Sequence, residues 1–488
     1  MKKAFVRRLD KSRLDRSRAL SPEKGVTMVL VALAMVGVIA MAALSIDVIT
    51  IYLAREEAQR SADTAALAAA RVISLSGITG DPSNTTSSWQ AICGGALKPA
   101  SQAASTIALQ NMVGGSTANT VAVTYGGTTN TDCSALVSSS PNAFSTNPTV
   151  TVQVQRTNLP NFFSRIWSHS GTNISATATA EVFNSSYSGT VGSQVVPIKP
   201  ACVKPWFVPN YDPLNPANCT RNCTPFVDRT NGAISNPGIS LGGNNATGVI
   251  GENFYLAADC SHLGTGCNPN PRAIPIQANL TGNSFVVGYP NLLYYPGQAP
   301  TATPVAVPAS ASGGNLYEQA IAGCDQSTVY QCGVGLANTV DMMSYNPSTQ
   351  NGDTALGVQA LIHQGSTTAS QPDGQDLLIP SAFPFQIQAG SSNPLIGGIL
   401  SQGSPISTST SVVSVPIFDS TNNVNLSGTS NVTVVGFLQV FINQVDQWDT
   451  MNVTVLNVTG CGNGSGPPVS SNAIAGTSPV PIRLITPQ

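Results

Sequence analysis

The chain has 488 residues, of which 42% are hydrophobic and only 9% charged, against roughly 25% charged in an ordinary soluble domain. The length allows two to four domains and a real core. A net charge of −2 gives no electrostatic reason to bind nucleic acid, and three scattered histidines (His169, His262, His363) do not make a metal or catalytic centre. Gly (44) and Pro (34) are frequent enough to suit a turn-rich β protein.

The charge is unevenly placed. Residues 1–25 hold nine bases and three acids, a surplus of six, whereas the other 463 residues hold 12 bases and 20 acids. This basic leader is followed by residues 26–46, VTMVLVALAMVGVIAMAALSI, 21 residues without a charge. At 1.5 Å per residue they span about 31 Å, close to the ~30 Å hydrocarbon core of a bilayer. A cleaved signal peptide is the main rival, but its apolar region normally covers only ~7–15 residues. Bases before the span predict a cytoplasmic N-terminus and an extracytoplasmic remainder. All ten cysteines lie beyond the span, as disulfides in an oxidising compartment would. Short loops suggest Cys219–Cys223, Cys260–Cys267 and Cys324–Cys332, leaving Cys93–Cys133 and Cys202–Cys461, although spacing does not fix connectivity.

The helical pattern continues over residues 47–75, which lack Gly and Pro. Ile51, Ala54, Ala58, Ala62, Ala65, Ala69 and Val72 recur at steps of three and four, a stripe of mostly small side chains. Gly77, Gly80 and Asp81-Pro82 end the run. A helix of about 50 residues and ~75 Å is expected, half in lipid and half outside. Its outer half must pack on its own domain or on other subunits.

The basic leader, Gly25, the apolar run, then Asp47, Tyr52, Arg55, Gln59 and the SADTAALAAA stretch with Ala62, Asp63, Ala65, Ala66 and Leu67 resemble the N-terminal segment of TadG-like proteins. These belong to the TadE/TadG group of the tight-adherence machinery that assembles Flp pili in bacteria. Residues 148–183 are similar to the strand, Phe-Phe-containing helix and Ala/Thr strand of TadE/G-like pseudopilins. The residues read the same way on their own. Val150, Val152 and Val154 alternate with Thr and Gln, Phe162, Phe163, Ile166 and Trp167 form one helix face, and Ile174, Ala176, Ala178 and Ala180 alternate again. The resemblance has limits. A prepilin cut after Gly25 would want Glu at the fifth mature position, where Leu30 stands, so no processing is expected there. Asp81-Pro82-Ser83-Asn84-Thr85 departs from the Asp-x-Ser-x-Ser metal motif of von Willebrand A-type domains.

Residues 84–147 carry a helix-like piece at 103–112 and a strand at 121–125. From about residue 195 the texture turns to short apolar strands between turn signals. Residues 199–213, with four prolines, read as irregular coil. Strands are expected at 285–287, 411–417, 432–440 and 452–458, with a doubtful one near 249–250. The last two long strands form a hairpin, and the whole suggests a sandwich-like or barrel-like β domain.

Catalytic motifs are weak. Gly238-Ile239-Ser240-Leu241-Gly242 matches Gly-x-Ser-x-Gly, with Asp259 and His262 downstream, but turn residues flank it where a nucleophile elbow needs a strand and a helix. Cys219-x-x-x-Cys223 lacks a second zinc-ligand pair. Asp341, Asp353, Asp373 and Asp376 lack the spacing of a calcium loop and read as solvated loop acids.

The expectation is an α+β, non-enzymatic chain without cofactor, metal or catalytic residues. It comprises a cytoplasmic leader (1–25), a transmembrane helix (26–46), a pilin-like stem of helix and small antiparallel sheet (47–183) and a β-rich ectodomain (184–488). The resemblance implies a structural or assembly component of an Flp pilus, held in the bacterial inner membrane. Its partners would be the bilayer and other pilin-like or pilus-assembly subunits, the face from Ala54 to Ala69 docking laterally on their helices. The alternative is a surface adhesin or glycan-binding ectodomain on a generic anchor.

Overall fold

The structure is a computed structural model, and it describes residues 22–84, 86–95, 98–160, 171–187, 198–215, 224–240, 248–259, 276–278, 284–286, 291–332, 338–346, 348, 350–368, 372–379, 383–398, 400–421, 424, 428–461, 474–476 and 478–485. The helix expected around Phe162, Phe163, Ile166 and Trp167 and the cysteines Cys219, Cys223, Cys260 and Cys267 lie outside the described residues. Three helices, α1 (Pro22–Leu75), α2 (Thr86–Ile92) and α3 (Pro99–Gln110), come first. The two units are built on β1 (Thr120–Tyr125), β2 (Thr149–Leu159), β3 (Thr172–Val182), β4 (Trp206–Pro209), β5 (Asn253–Ala258), β6 (Asn291–Pro296), β7 (Val412–Phe418), β8 (Val434–Val445), β9 (Thr450–Gly460) and β10 (Ile482–Ile485). Two further helices, α4 (Leu316–Ala322) and α5 (Asp353–Ile362), precede β7.

Helix α1 is unbroken for 54 residues, about 80 Å at 1.5 Å per residue. Its two hydroxyls near the end of the apolar run bond back into the helix, Ser45 Oγ to the Met41 carbonyl at 2.9 Å and Thr50 Oγ1 to the Ile46 carbonyl at 2.8 Å. They therefore expose no unsatisfied donor to lipid.

The outer half of α1 lies on an antiparallel sheet of order β10-β3-β2-β1. The β2–β3 register pairs Val150 with Ala180, Val152 with Ala178 and Val154 with Ala176, so the alternation read from sequence gives one face of valine and alanine. That face meets Ala58, Ala62, Ala65, Ala66 and Ala69 in one core. Helix α3 adds Ala100, Ala104 and Ala108 to it. Small side chains on both surfaces let helix and sheet approach closely without voids. Cys93 and Cys133 are bonded, tying the end of α2 to the turn before β2. Strand β10 comes from the C-terminus and pairs with β3, and Arg483 binds Glu181 at 2.6 Å. Strand β10 thus joins the stem, although no local pattern separates residues 482–485 from the region that follows residue 183.

Between β3 and β10 the chain builds a closed barrel, order β4-β7-β8-β9-β5-β6, with β6 returning to β4 through Tyr295 opposite Phe207. The β4–β7 and β5–β6 pairs are parallel and the others antiparallel. Register shifts in the β8–β9 hairpin, after Gln439 and again after Ile442, supply curvature of the kind bulges give. Trp206, Val208, Phe254, Leu256, Leu292, Val415, Leu438, Val440 and Val455 fill the core, joined by Tyr317 of α4 and Val358 of α5. The region is thus a barrel instead of two packed sheets. Within the stretch read as coil, Ile198–Pro200 and β4 are strands.

The cysteine pairs are a second correction. Cys202 is bonded to Cys324 and Cys332 to Cys461, not Cys324 to Cys332 and Cys202 to Cys461. Residues close in sequence here lie on different elements, whereas β4 passes beside the end of α4 and the segment after α4 passes beside the end of β9.

Candidate functional site

Helix α1 divides into two environments. From residue 26 to 53 the large apolar side chains other than half-buried Ile51 are bare: Met28 is 78% exposed, and Leu33, Ile39, Leu44, Val48, Ile49 and Leu53 are exposed as well. This helix is long and apolar enough to cross a membrane. The bare face runs over 28 residues, about 42 Å, and outreaches the ~30 Å hydrocarbon core.

Beyond it the alanines sink. Ala54, Ala58, Ala62, Ala65, Ala66, Ala69 and Ala70 are buried against the chain's own sheet and α3. Lateral docking of this face on another subunit's helix is thereby overturned, because the chain itself occupies it. Sequence periodicity identifies a buried face but not what buries it.

The family-motif residues take different places. Asp47 is 4% exposed, at the level where the apolar run ends. Tyr52 (63% exposed) and Arg55 point outward. Gln59 Nε2 donates to Asp63 Oδ1 (2.8 Å) and to the Thr177 carbonyl of β3 (3.2 Å), pinning α1 to the sheet. Ala62, Ala65 and Ala66 form the seam, and Leu67 is half-buried beside it. On the α3 side Ser61 Oγ donates to the Ala108 carbonyl, and Glu57 Oε2 accepts the Gly114 amide at 2.7 Å.

A polar joint links stem and barrel. Asn457 Nδ2 donates to the Ser74 carbonyl at 2.6 Å and to Gln439 Oε1 at 2.9 Å. Asn184 Nδ2 donates to the carbonyls of Thr79 and Val458, both at 3.1 Å, and its Oδ1 accepts from Thr459 Oγ1. Gly77 crosses between them with φ +73°, where a Cβ would stand 2.2 Å from the Leu456 carbonyl oxygen. These polar side chains are buried and, apart from Asn457 Oδ1, hydrogen-bonded; a buried network of this kind fixes one relative orientation. The sequence signal was limited to a glycine after a helix, which reads only as a stop.

The ectodomain also buries ionisable groups. Lys204 Nζ donates to the carbonyls of Ile321 and Gly323, both at 2.6 Å, at the end of α4. Complete burial pulls its pKa down to about 7, although the nearby Asp325 opposes the shift. Asp449 accepts from the Tyr345 hydroxyl and from the Ala355 amide at the start of α5. Burial raises its pKa to about 6.

Asp353 and Asp376, read as solvated, are buried acceptors. Asp353 takes Asn315 Nδ2 and the Asn346 amide, and Asp376 takes the Gly390 amide and Ser409 Oγ. Acids that satisfy inward-facing amides are drawn under the surface. Asp341 caps Met343, and Asp373 stays partly exposed. No group of three or more His, Cys, Asp or Glu side chains gathers among the described residues. Ser240 is buried, its amide bonded to the Ile250 carbonyl at 2.6 Å. Leu241, Gly242 and His262 lie outside the described residues.

Comparison with curated proteins and with solved structures yields no match. The family comparison matches residues 25–72 to the Tad model, described as "Putative Flp pilus-assembly TadE/G-like". The matched range runs from the start of the bare apolar face to the end of the alanine seam, so helix α1 carries a TadE/G-like Flp pilus-assembly segment.

Proposed function

We propose that this protein is a membrane-anchored structural or assembly component of a tight-adherence (Flp) pilus system, and not an enzyme. The observation that supports it is one helix with two jobs: its TadE/G-like segment carries mostly bare apolar side chains from residue 26 to 53, then becomes the spine of a helix-on-sheet stem. In the bacterial inner membrane the basic leader stays in the cytoplasm, and stem and barrel stand outside. Contacts with pilin-like subunits run through the bare stripe and through the barrel surface, because the alanine seam is filled. Deleting the gene tests this reading: sheared surface fractions should lose assembled pilin while cell-associated pilin remains. Unchanged surface pili would refute it. Protease treatment of spheroplasts should digest the barrel, and a protected barrel would reverse the orientation.

A surface adhesin on a generic anchor is the second reading. What supports it is an open cleft of about 230 Å³ lined by neutral polar groups, among them Gln298, Thr301, Thr328, Tyr330 and Thr339. Saccharide binding by the full chain that Thr328→Trp abolishes would favour it over the pilus reading, as would intact pili in the deletion strain.

A further inference from the structure

Asp212 and Glu252, on two connecting segments beside the barrel, are both fully buried. Asp212 Oδ1 is already engaged by the amides of Leu214 (3.0 Å) and Asn215 (3.1 Å). Its other oxygen stands next to the Glu252 carboxylate, with the Asn236 side chain alongside. Asp212 Oδ2, Glu252 Oε1 and Oε2, and Asn236 Nδ2 are all sealed from solvent and none makes a hydrogen bond of good geometry, although Glu252 and Asn236 both lie within hydrogen-bonding influence of Asp212. Buried polar atoms are nearly always satisfied, so two carboxylates sealed side by side call for a proton or a cation between them.

We propose that Asp212 and Glu252, assisted by the Asn236 side chain, hold a Ca²⁺ ion. The donor set is all oxygen once the Asn236 amide is turned end for end, which exchanges its nitrogen for its oxygen in the same volume. Carboxylate and amide oxygens without nitrogen or sulfur select a hard cation. Two carboxylates balance a divalent charge, and water or main-chain carbonyls complete the six to eight ligands Ca²⁺ takes. The ion would fasten the segments around residues 212, 236 and 252, which are connections rather than paired strands.

The test compares the full chain in detergent micelles with EDTA and with millimolar CaCl₂. Ca²⁺ is expected to raise Tm by about 5 °C when present at ~100 times its dissociation constant, with one ion bound per chain by calorimetric titration. Glu252→Gln should erase both the rise and the titration signal, while its Tm in EDTA stays at or above that of the wild type. Asp212→Asn should likewise bind no ion. Equal wild-type Tm values in EDTA and Ca²⁺ with no titration heat would overturn the proposal in favour of a shared proton. A rise that survives both substitutions would also overturn it, by placing the ion elsewhere. Pilus assembly enters neither measurement, so the result stands apart from the functional reading above.

Discussion

Replacing Gly77 with alanine strikes the joint where the membrane helix meets the barrel. Two costs add. At φ +73° a residue with a Cβ is strained by about 1–2 kcal/mol. The new Cβ would also lie 2.2 Å from the Leu456 carbonyl oxygen and 2.7 Å from Ile250 Cγ2. Backbone cannot rotate away as a side-chain tip can, so relief means moving α1 off β9, at about 1–3 kcal/mol. The sum is about 2–5 kcal/mol. Gly115 provides the control: its φ is +77°, yet a Cβ there meets nothing within 4 Å, so Gly115→Ala should cost only the ~1–2 kcal/mol of strain. Urea unfolding of the full chain in micelles, followed by tryptophan fluorescence, measures both, and limited proteolysis should find a new cut near residues 76–80 in Gly77→Ala alone. Equal destabilisation by the two substitutions would refute the tight joint.

Ala62→Leu forces extra carbons into the helix–sheet seam and should destabilise the stem by about 1–3 kcal/mol; carbonate extraction should still find the protein in the membrane. Asp449 is held above its ordinary pKa of 3.8, at about 6, chiefly by burial. The folded state therefore retains a proton that the unfolded state has lost, so this group's contribution to stability falls as pH rises from about 4 to 6 and is flat above. Asp449→Asn should flatten the stability profile across that window relative to wild type, by at most about 3 kcal/mol, and superimposable profiles would contradict the shift. Non-reducing peptide maps should show Cys202 linked to Cys324 and Cys332 to Cys461. Changing Cys332 and Cys461 together to serine, which opens a loop spanning 129 residues, should cost about 4–5 kcal/mol by loop entropy.

The elements legible in the sequence are those whose pattern is local. Twenty-one uncharged residues announce the span, the alanine steps give the buried face of α1, and Val150 to Val154 with Ala176 to Ala180 alternate as paired strands do. Helix α3, β1 and the β8–β9 hairpin also fall close to their expected places. The barrel closure is not legible, because β4 is four residues inside a proline-rich stretch and its partners β6 and β7 come much later in the chain. Four-residue β10 has no signal beyond three apolar positions, and its place is fixed by the open edge of β3. The alanine stripe shows the sharpest limit. Spacing reported that it is buried, while the partner, the chain's own sheet, is a tertiary fact. The joint that Asn184, Asn457 and Gly77 make between stem and barrel is a tertiary fact of the same kind.

The central claim is that one helix passes from lipid into the core of its own stem. Single cysteines placed along residues 28–70 and probed in spheroplasts with a membrane-impermeant maleimide test it most directly. The account predicts no labelling from 30 to 44, fast labelling at 55 and 60, and protection at 58, 62, 65 and 69. Labelling at those four alanine positions as fast as at Arg60, or aqueous labelling throughout 30–44, would contradict it.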